Sequence, residues 1–235
     1  VLYNVLLFAG VIIALSVSFG EWSVFARVQV MQDFGLATMS ISGLLLAVFV
    51  GVGMLDKEMS GRTVYTLATK PVHRYTIIVG KYVGLTTTLL LNFGVMTLLF
   101  LATLWSMGGG SGLNVLPAVL LIWVEMAVVV AVSVLFSTFT NATLAAILTI
   151  AFYIAGHFND LKDVVAVEGR HPWLVDLLHG LYYVLPNLEH FNIRSRVVYD
   201  LPVPSGFVGT AVLYGCLYVA LFLLLSCAVF GRRDL

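Results

Sequence analysis

The sequence predicts an all-α membrane protein that crosses the lipid bilayer several times. Of the 235 residues, 60% are hydrophobic and only 10% are charged, whereas soluble domains carry about 25% charged residues. The apolar residues fall in runs of the length that a helix needs to cross the hydrocarbon layer, roughly 17–25 residues. The net charge of zero gives no electrostatic argument for nucleic-acid binding.

Six apolar runs predict six transmembrane helices within a single transmembrane domain, residues 1–235. The predicted spans are residues 2–19, 36–55, 75–105, 115–136, 141–158 and 207–230. Glu21 and Asp33 flank an amphipathic extracytoplasmic link between the first two spans. Gly43 and Gly51 lie eight residues apart and share a face of span two, so they either admit a neighbouring helix or are ordinary transmembrane glycines.

The basic residues near the ends of the spans determine the predicted orientation. The loop of residues 56–74 and the start of span three hold Lys57, Arg62, Lys70, Arg74 and Lys81, and the tail adds Arg232 and Arg233. Because short basic loops stay in the cytoplasm, we expect this side, with both termini, to be cytoplasmic. The insert of residues 159–205 is then extracytoplasmic. Helical spacing after Pro172 predicts an amphipathic or re-entrant helix within it.

Three polar or charged residues inside the predicted spans are singled out, because each could have a particular role. Glu125 is the only acidic residue near the centre of a span, and a buried charge costs at least about 2.5–3.5 kcal/mol there, so it should face protein or water, or be protonated. It either belongs to a substrate pathway or makes a structural hydrogen bond to another helix. Lys81 is interpreted as an interfacial anchor, and Asn92 as a residue that joins helices.

Four histidines fall on the predicted outer side of the membrane. They are His157, His171, His179 and His190. Their spacing is not that of a metal site and no cysteine accompanies them, so the pattern favours interfacial or structural histidines over metal ligands. We therefore predict no metal site on this chain, and the sequence identifies no cofactor-binding or catalytic residue in it.

The loop of residues 56–74 has the pattern of a short surface helix. Val64, Leu67 and Ala68 form a small apolar face at helical spacing, and Gly61 and Pro71 stand at its two ends. Such a face suits docking into a groove of another protein. The alternative is an ordinary basic loop that serves membrane topology alone.

Residues 35–85 resemble the permease subunits of ABC-2-type transporters, close to the branch that includes the permease for nitrous-oxide-reductase maturation. The residues that carry the resemblance are Glu58, Arg62, Thr63, Leu67, Pro71, Val72, Arg74, Gly80 and Lys81. The stretches "FSTFTNATLAAIL", "LPNLEHFN" and "FGRRDL" are also similar to family segments, so the likeness covers nearly the whole chain.

The resemblance implies a permease subunit of an ATP-driven exporter in the bacterial cytoplasmic (inner) membrane. Such subunits have six spans, a cytosolic amphipathic helix before span one, and helical insertions between spans five and six. They pair with a second permease subunit and bind two copies of an ATPase subunit, which holds ATP and Mg²⁺. The expected substrate is lipid-like, polymeric or amphipathic, and moves outward.

The resemblance also assigns roles to the loop residues and to the start of span three. The loop would carry the coupling helix that contacts the ATPase, through Glu58, Arg62, Thr63, Val64, Leu67, Pro71 and Arg74. Gly80 and Lys81 would be the family motif that opens span three. Here Met59, Ser60 and Gly61 stand where more polar residues are expected.

The sequence contains no phosphate-binding loop, so we do not expect this chain to be an enzyme on its own. Two other functions remain open. One is a non-transporting membrane anchor or regulatory subunit of a larger envelope complex, whose insert of residues 159–205 binds an extracytoplasmic partner. The other is a secondary transporter, against which stand the lack of an internal repeat and the few intramembrane charges.

Overall fold

The structure, a computed structural model, describes residues 2–18, 24–60, 74–106, 112–157 and 185–231. Within these ranges all regular secondary structure is helical and no strand occurs. The predicted all-α class is therefore confirmed for the described part of the chain.

Seven α-helices follow one another in the described ranges. They are α1 (Leu2–Ser18), α2 (Val24–Ser60), α3 (Arg74–Ser106), α4 (Leu116–Phe139), α5 (Ala142–His157), α6 (Arg194–Val198) and α7 (Phe207–Gly231). Short 3₁₀ turns, Leu113–Val115 and Leu188–Phe191, precede α4 and α6.

Four segments are long and apolar enough to cross a membrane. They are Val28–Phe49, Tyr75–Ser106, Leu113–Phe139 and Phe207–Gly231. The helix α5 is apolar but has 16 residues, or about 24 Å at 1.5 Å per residue, less than the roughly 30 Å of hydrocarbon. With 17 residues, α1 is also short. The protein thus has several candidate spans, and the predicted total of six remains a prediction.

The helix α2 begins earlier and ends later than predicted span two. Its 37 residues run without interruption from Val24 to Ser60, about 55 Å at 1.5 Å per residue. Residues from Val24 onward, predicted as part of a separate link, belong to this same helix. No proline between 24 and 60 interrupts the backbone hydrogen bonding.

The helix α4 forms the centre of the bundle. It packs against α2, α3, α5 and α7, and most of its residues are buried. A helix surrounded by other helices needs no continuous polar face, which agrees with the mainly apolar sequence of α4.

Gly43 and Gly51 lie where helices pack closely, which confirms the first of their two interpretations. A side chain at Gly43 would meet Phe93 of α3, and one at Gly51 would meet Ser133 of α4, both closer than ordinary van der Waals contact. Small residues are typical of such close helix contacts in membranes.

The outer surfaces of α3 and α7 carry large exposed apolar side chains. They include Leu91, Leu98, Trp105, Leu213, Leu217 and Leu224. A row of such residues would be a liability in water but suits the acyl chains of a bilayer. The surface of the bundle therefore agrees with a membrane environment.

Candidate functional site

Glu125 is buried in the N-terminal half of α4, with 2% of its surface exposed. It stands nine residues after Leu116, the first residue of the helix, or about 14 Å along the axis. The structure therefore places this carboxyl against protein, one of the surroundings that the cost of a charge in lipid allows.

Two residues of α5 contact the Glu125 carboxyl. His157 Nε2 lies 3.3 Å from Glu125 Oε1, and the Tyr153 hydroxyl interacts with the same carboxyl. The Tyr153 hydroxyl also lies 3.2 Å from Ser40 Oγ on α2. Three helices thus bring one acidic, one imidazole and two hydroxyl groups together.

The two ring nitrogens of His157 have different partners, and the hydrogen bond at Nδ1 shows that the contact between Nε2 and Glu125 involves a shared proton. His157 Nδ1 lies 3.0 Å from the carbonyl oxygen of Tyr153, and because a carbonyl only accepts, Nδ1 carries a hydrogen. A neutral imidazole then has a lone pair at Nε2. The contact with Glu125 therefore needs one further proton, held by either His157 or Glu125.

The carboxyl lies against a cavity of about 220 Å³. Its walls come from α2, α4, α5 and residues 191–194. The lining combines apolar side chains with polar groups, namely Ser40, Glu125, Tyr153, His157, Asn192 and Arg194. Glu125 Oε1 is buried and has no aligned hydrogen-bond donor among the described residues, although His157 is at ion-pair distance.

An ion pair stands beside this cavity. Arg194 Nε at the start of α6 lies 2.9 Å from Asp33 Oδ1 of α2, and both side chains are partly exposed. Asn192 Nδ2 donates to Glu189 Oε1 over 2.8 Å, and the Glu189 carboxylate acts electrostatically on Glu125. The surroundings are therefore rich in negative charge.

The predicted coupling residues lie at the edge of the described structure or beyond it. Glu58 is in the last turn of α2 and Arg74 is the first residue of α3. Arg62, Thr63, Val64, Leu67 and Pro71 lie outside the described residues, as does the part of the insert from residue 159 to 184. Their proposed roles stay predictions.

The other residues singled out in the sequence do not join the cavity. Asn92 is buried in α3, as expected of a residue that joins helices. Gly80 has open space where a side chain would start, and Lys81 of α3 is half-buried. Neither lines the Glu125 cavity.

The described histidines have different surroundings. His157 contacts Glu125, whereas the His190 ring lies 5.0 Å from the Phe207 ring and 5.6 Å from that of Tyr214. His171 and His179 lie outside the described residues. Within the described ranges, no group of three or more His, Cys, Asp or Glu side chains could hold a metal ion.

Sequence reasoning did not identify Ser40, Tyr153, Asp33 or Arg194 as members of this site. A weak signal was present for one of them. Tyr153 and His157 are four residues apart, so on a helix they share a face. Nothing in the sequence pointed to α2 or to residues 191–194 as the other walls.

Comparison with known proteins agrees with this architecture. The sequence profile of the family described as "ABC-2 family transporter protein" matches residues 5–235. A protein of Stutzerimonas stutzeri described as "Probable ABC transporter permease protein NosY" is 29% identical, and the match covers 94% of this chain and 85% of that protein.

Family membership implies a multi-pass membrane protein whose partner is an ABC ATPase, which hydrolyses the ATP. The chain belongs to the ABC-2 family of transporter proteins and is the transmembrane subunit of an ABC transporter.

Proposed function

We propose that this chain is the permease subunit of an ATP-driven exporter, and that the Glu125 cavity is part of its substrate pathway. The exporter would contain two permease subunits and two ATPase subunits with bound ATP and Mg²⁺. It would lie in a bacterial inner membrane with both termini of this chain in the cytoplasm. Its substrate would be lipid-like, polymeric or amphipathic.

The observation that carries the proposal is the position of Glu125 against an open cavity. A carboxyl kept only for stability is expected to have its oxygens satisfied by aligned donors, as buried polar groups usually do. Glu125 Oε1 has none among the described residues and lies against about 220 Å³ of space. Ionisable residues at this depth usually mark a substrate or ion pathway.

The loop of residues 56–74 is well placed to couple this cavity to an ATPase. It connects α2, which supplies a cavity wall, with α3, which packs on α4. A force on the loop would therefore act on two long helices and move them as rigid bodies. We infer an ATPase contact through Glu58, Arg62, Thr63, Val64, Leu67, Pro71 and Arg74.

The test of coupling is the double variant Val64→Ala/Leu67→Ala, made in the complex with the co-expressed ATPase subunit in proteoliposomes. We expect ATP-driven movement of a fluorescent phospholipid to fall at least about tenfold, since the apolar docking face is removed. Membrane insertion should be unchanged. The matched control is Leu217→Ala/Leu224→Ala on the exposed surface of α7, which should transport normally.

Two results would contradict the proposal in different ways. Normal transport by Val64→Ala/Leu67→Ala would remove the coupling role of the loop. If no ATPase subunit purifies with the wild-type chain and no lipid movement depends on ATP, the anchoring function becomes the better explanation. Dye accessibility before and after ATP addition measures the direction of movement.

A further inference from the structure

The cavity beside Glu125 has the chemistry of a site for a small organic cation. We propose that it binds a primary ammonium group carried on a short apolar chain, with Glu125 as the counter-ion. The inference rests on the proposed function, because it names the chemical class that the substrate pathway accepts.

The charged side chains around the cavity indicate the sign of the charge that a ligand would carry. Glu125, Glu189 and Asp33 are carboxylates, and Arg194, already paired with Asp33, is the cation beside them. Because Glu125 and His157 share one proton, the two together carry no net charge, so Glu189, Asp33 and Arg194 leave an excess of one negative charge. A ligand with a positive charge is therefore favoured over an anion.

The contacts of Glu125 indicate where the ammonium group would bind. Oε1 has no aligned donor among the described residues, and an ammonium group supplies three donors. The hydroxyls of Tyr153 and Ser40 can accept two of its hydrogens, and the Glu125 carboxylate accepts the third. The bound cation would take the place of the proton shared by Glu125 and His157 in neutralising the carboxylate.

The size and the apolar walls limit the rest of the ligand. About 220 Å³ is less than the roughly 300–1,000 Å³ of a pocket for a drug-sized molecule. Leu36, Ile41, Ile122 and Phe191 line the remaining wall, so a short hydrocarbon chain suits it. A metal ion suits it less, because no three ligating side chains come together in the described ranges.

The experiment measures binding of radiolabelled hexylammonium to the full transporter complex in lipid nanodiscs, without ATP. We expect saturable binding that Glu125→Gln weakens at least about tenfold, because the amide keeps the shape and removes the charge. The matched control is Asp200→Asn, an exposed acidic residue outside the cavity, which should bind as the wild type does. Hexanol, which has the same chain without the charge, should not compete.

A second variant keeps the test decisive if Glu125→Gln does not fold. Ala37 lines the cavity, so Ala37→Leu fills it without changing any charge, and it should also abolish saturable binding. Equal binding by Glu125→Gln or Ala37→Leu and the wild type overturns the proposal. So does equal competition by hexanol, or tighter binding of hexanoate.

The source of the ammonium group is distinguished by the lipid of the nanodisc. If an aminolipid is the natural ligand, phosphatidylethanolamine nanodiscs should show weaker hexylammonium binding than phosphatidylcholine nanodiscs, which have the same net charge but no primary amine. Equal binding in the two lipids indicates a free amine. Because the measurement needs neither ATP nor transport, loss of hexylammonium binding with intact ATP-driven lipid movement rejects this inference alone.

Discussion

The helices α4 and α7 are similar in length and in hydropathy, yet one lies at the centre of the bundle and the other at its rim. Within their most apolar windows, 78% of residues are buried in the first case and 17% in the second. The difference shows that hydropathy identifies helices that can cross a bilayer but does not separate those that face protein from those that face lipid. Lipid chains are as apolar as a protein core.

Polar side chains make the distinction that hydropathy does not. Besides Glu125, α4 buries Ser133, Ser137 and Thr138, whereas among the buried polar residues α7 contributes Ser226. Ser133 donates to the carbonyl of Val130 and Ser137 to that of Ser133. Because these groups are satisfied within the helix, they let neighbouring helices approach without leaving a donor unpaired.

The largest expected effect is a loss of folding stability when a buried side chain of α4 is shortened; the same kind of change at an exposed position of α7 should have almost no effect. Met126→Ala in α4 should lower the free energy of unfolding by about 2–5 kcal/mol, since it leaves a cavity in the core. Leu217→Ala in α7 should change it by less than about 0.5 kcal/mol. Met126 is 0% exposed and Leu217 is 63% exposed.

The measurement is equilibrium unfolding in mixed micelles of dodecyl maltoside and dodecyl sulfate. The wild-type chain and both variants are compared at the same protein concentration. Similar losses in the two variants would mean that α7 is enclosed in solution, for example by a second permease subunit.

A smaller effect is expected where α7 touches α4. A side chain added at Gly215 would meet Val124 of α4, whereas Gly209 in the same helix has open space. Gly215→Leu should therefore lower the unfolding free energy by about 1–3 kcal/mol through overpacking, and Gly209→Leu should be neutral or slightly stabilising. If thermal unfolding in detergent gives the reverse order, the packed edge of α7 has been assigned to the wrong side.

The sequence was sufficient to predict what depends on local pattern. The apolar runs predicted the helical class, the cost of a charge in lipid predicted that Glu125 faces protein or water or is protonated, and the spacing of Gly43 and Gly51 predicted that the two share one face of a helix. Each of these arguments uses residues close together in the chain or a property of one residue in a bilayer.

The sequence was not sufficient to predict the partners of Glu125. Its contact with His157 joins residues 32 positions apart on two helices, and the Ser40–Tyr153 contact spans 113 positions. Such pairs depend on which face each helix turns toward its neighbours. This orientation cannot be inferred from the sequence of a helix that is apolar on all its faces. For the same reason the wall formed by residues 191–194 was not foreseen.

The smallest expected effect concerns the ion pair of Asp33 and Arg194. Because both side chains are more than a third exposed, solvent screens the interaction, and a double-mutant cycle with Asp33→Asn and Arg194→Gln should give a coupling free energy of about 0.2–1 kcal/mol. The cycle is measured by thermal unfolding at low and high salt, and the coupling should shrink at high salt. A larger, salt-independent value would place the pair in a buried part of the molecule.

The uninterrupted course of α2 has a mechanical consequence. An α-helix changes its length little under an axial load. A displacement of α2 at Ser60 therefore moves the N-terminal part of the same helix by nearly the same amount. Asp33 and Ser60 lie 27 residues apart in this one helix, about 40 Å, and Asp33 holds Arg194 across to the insert. A short axial or rotary displacement of α2 at Ser60 would therefore act on that ion pair directly, because the helix is continuous between the two points.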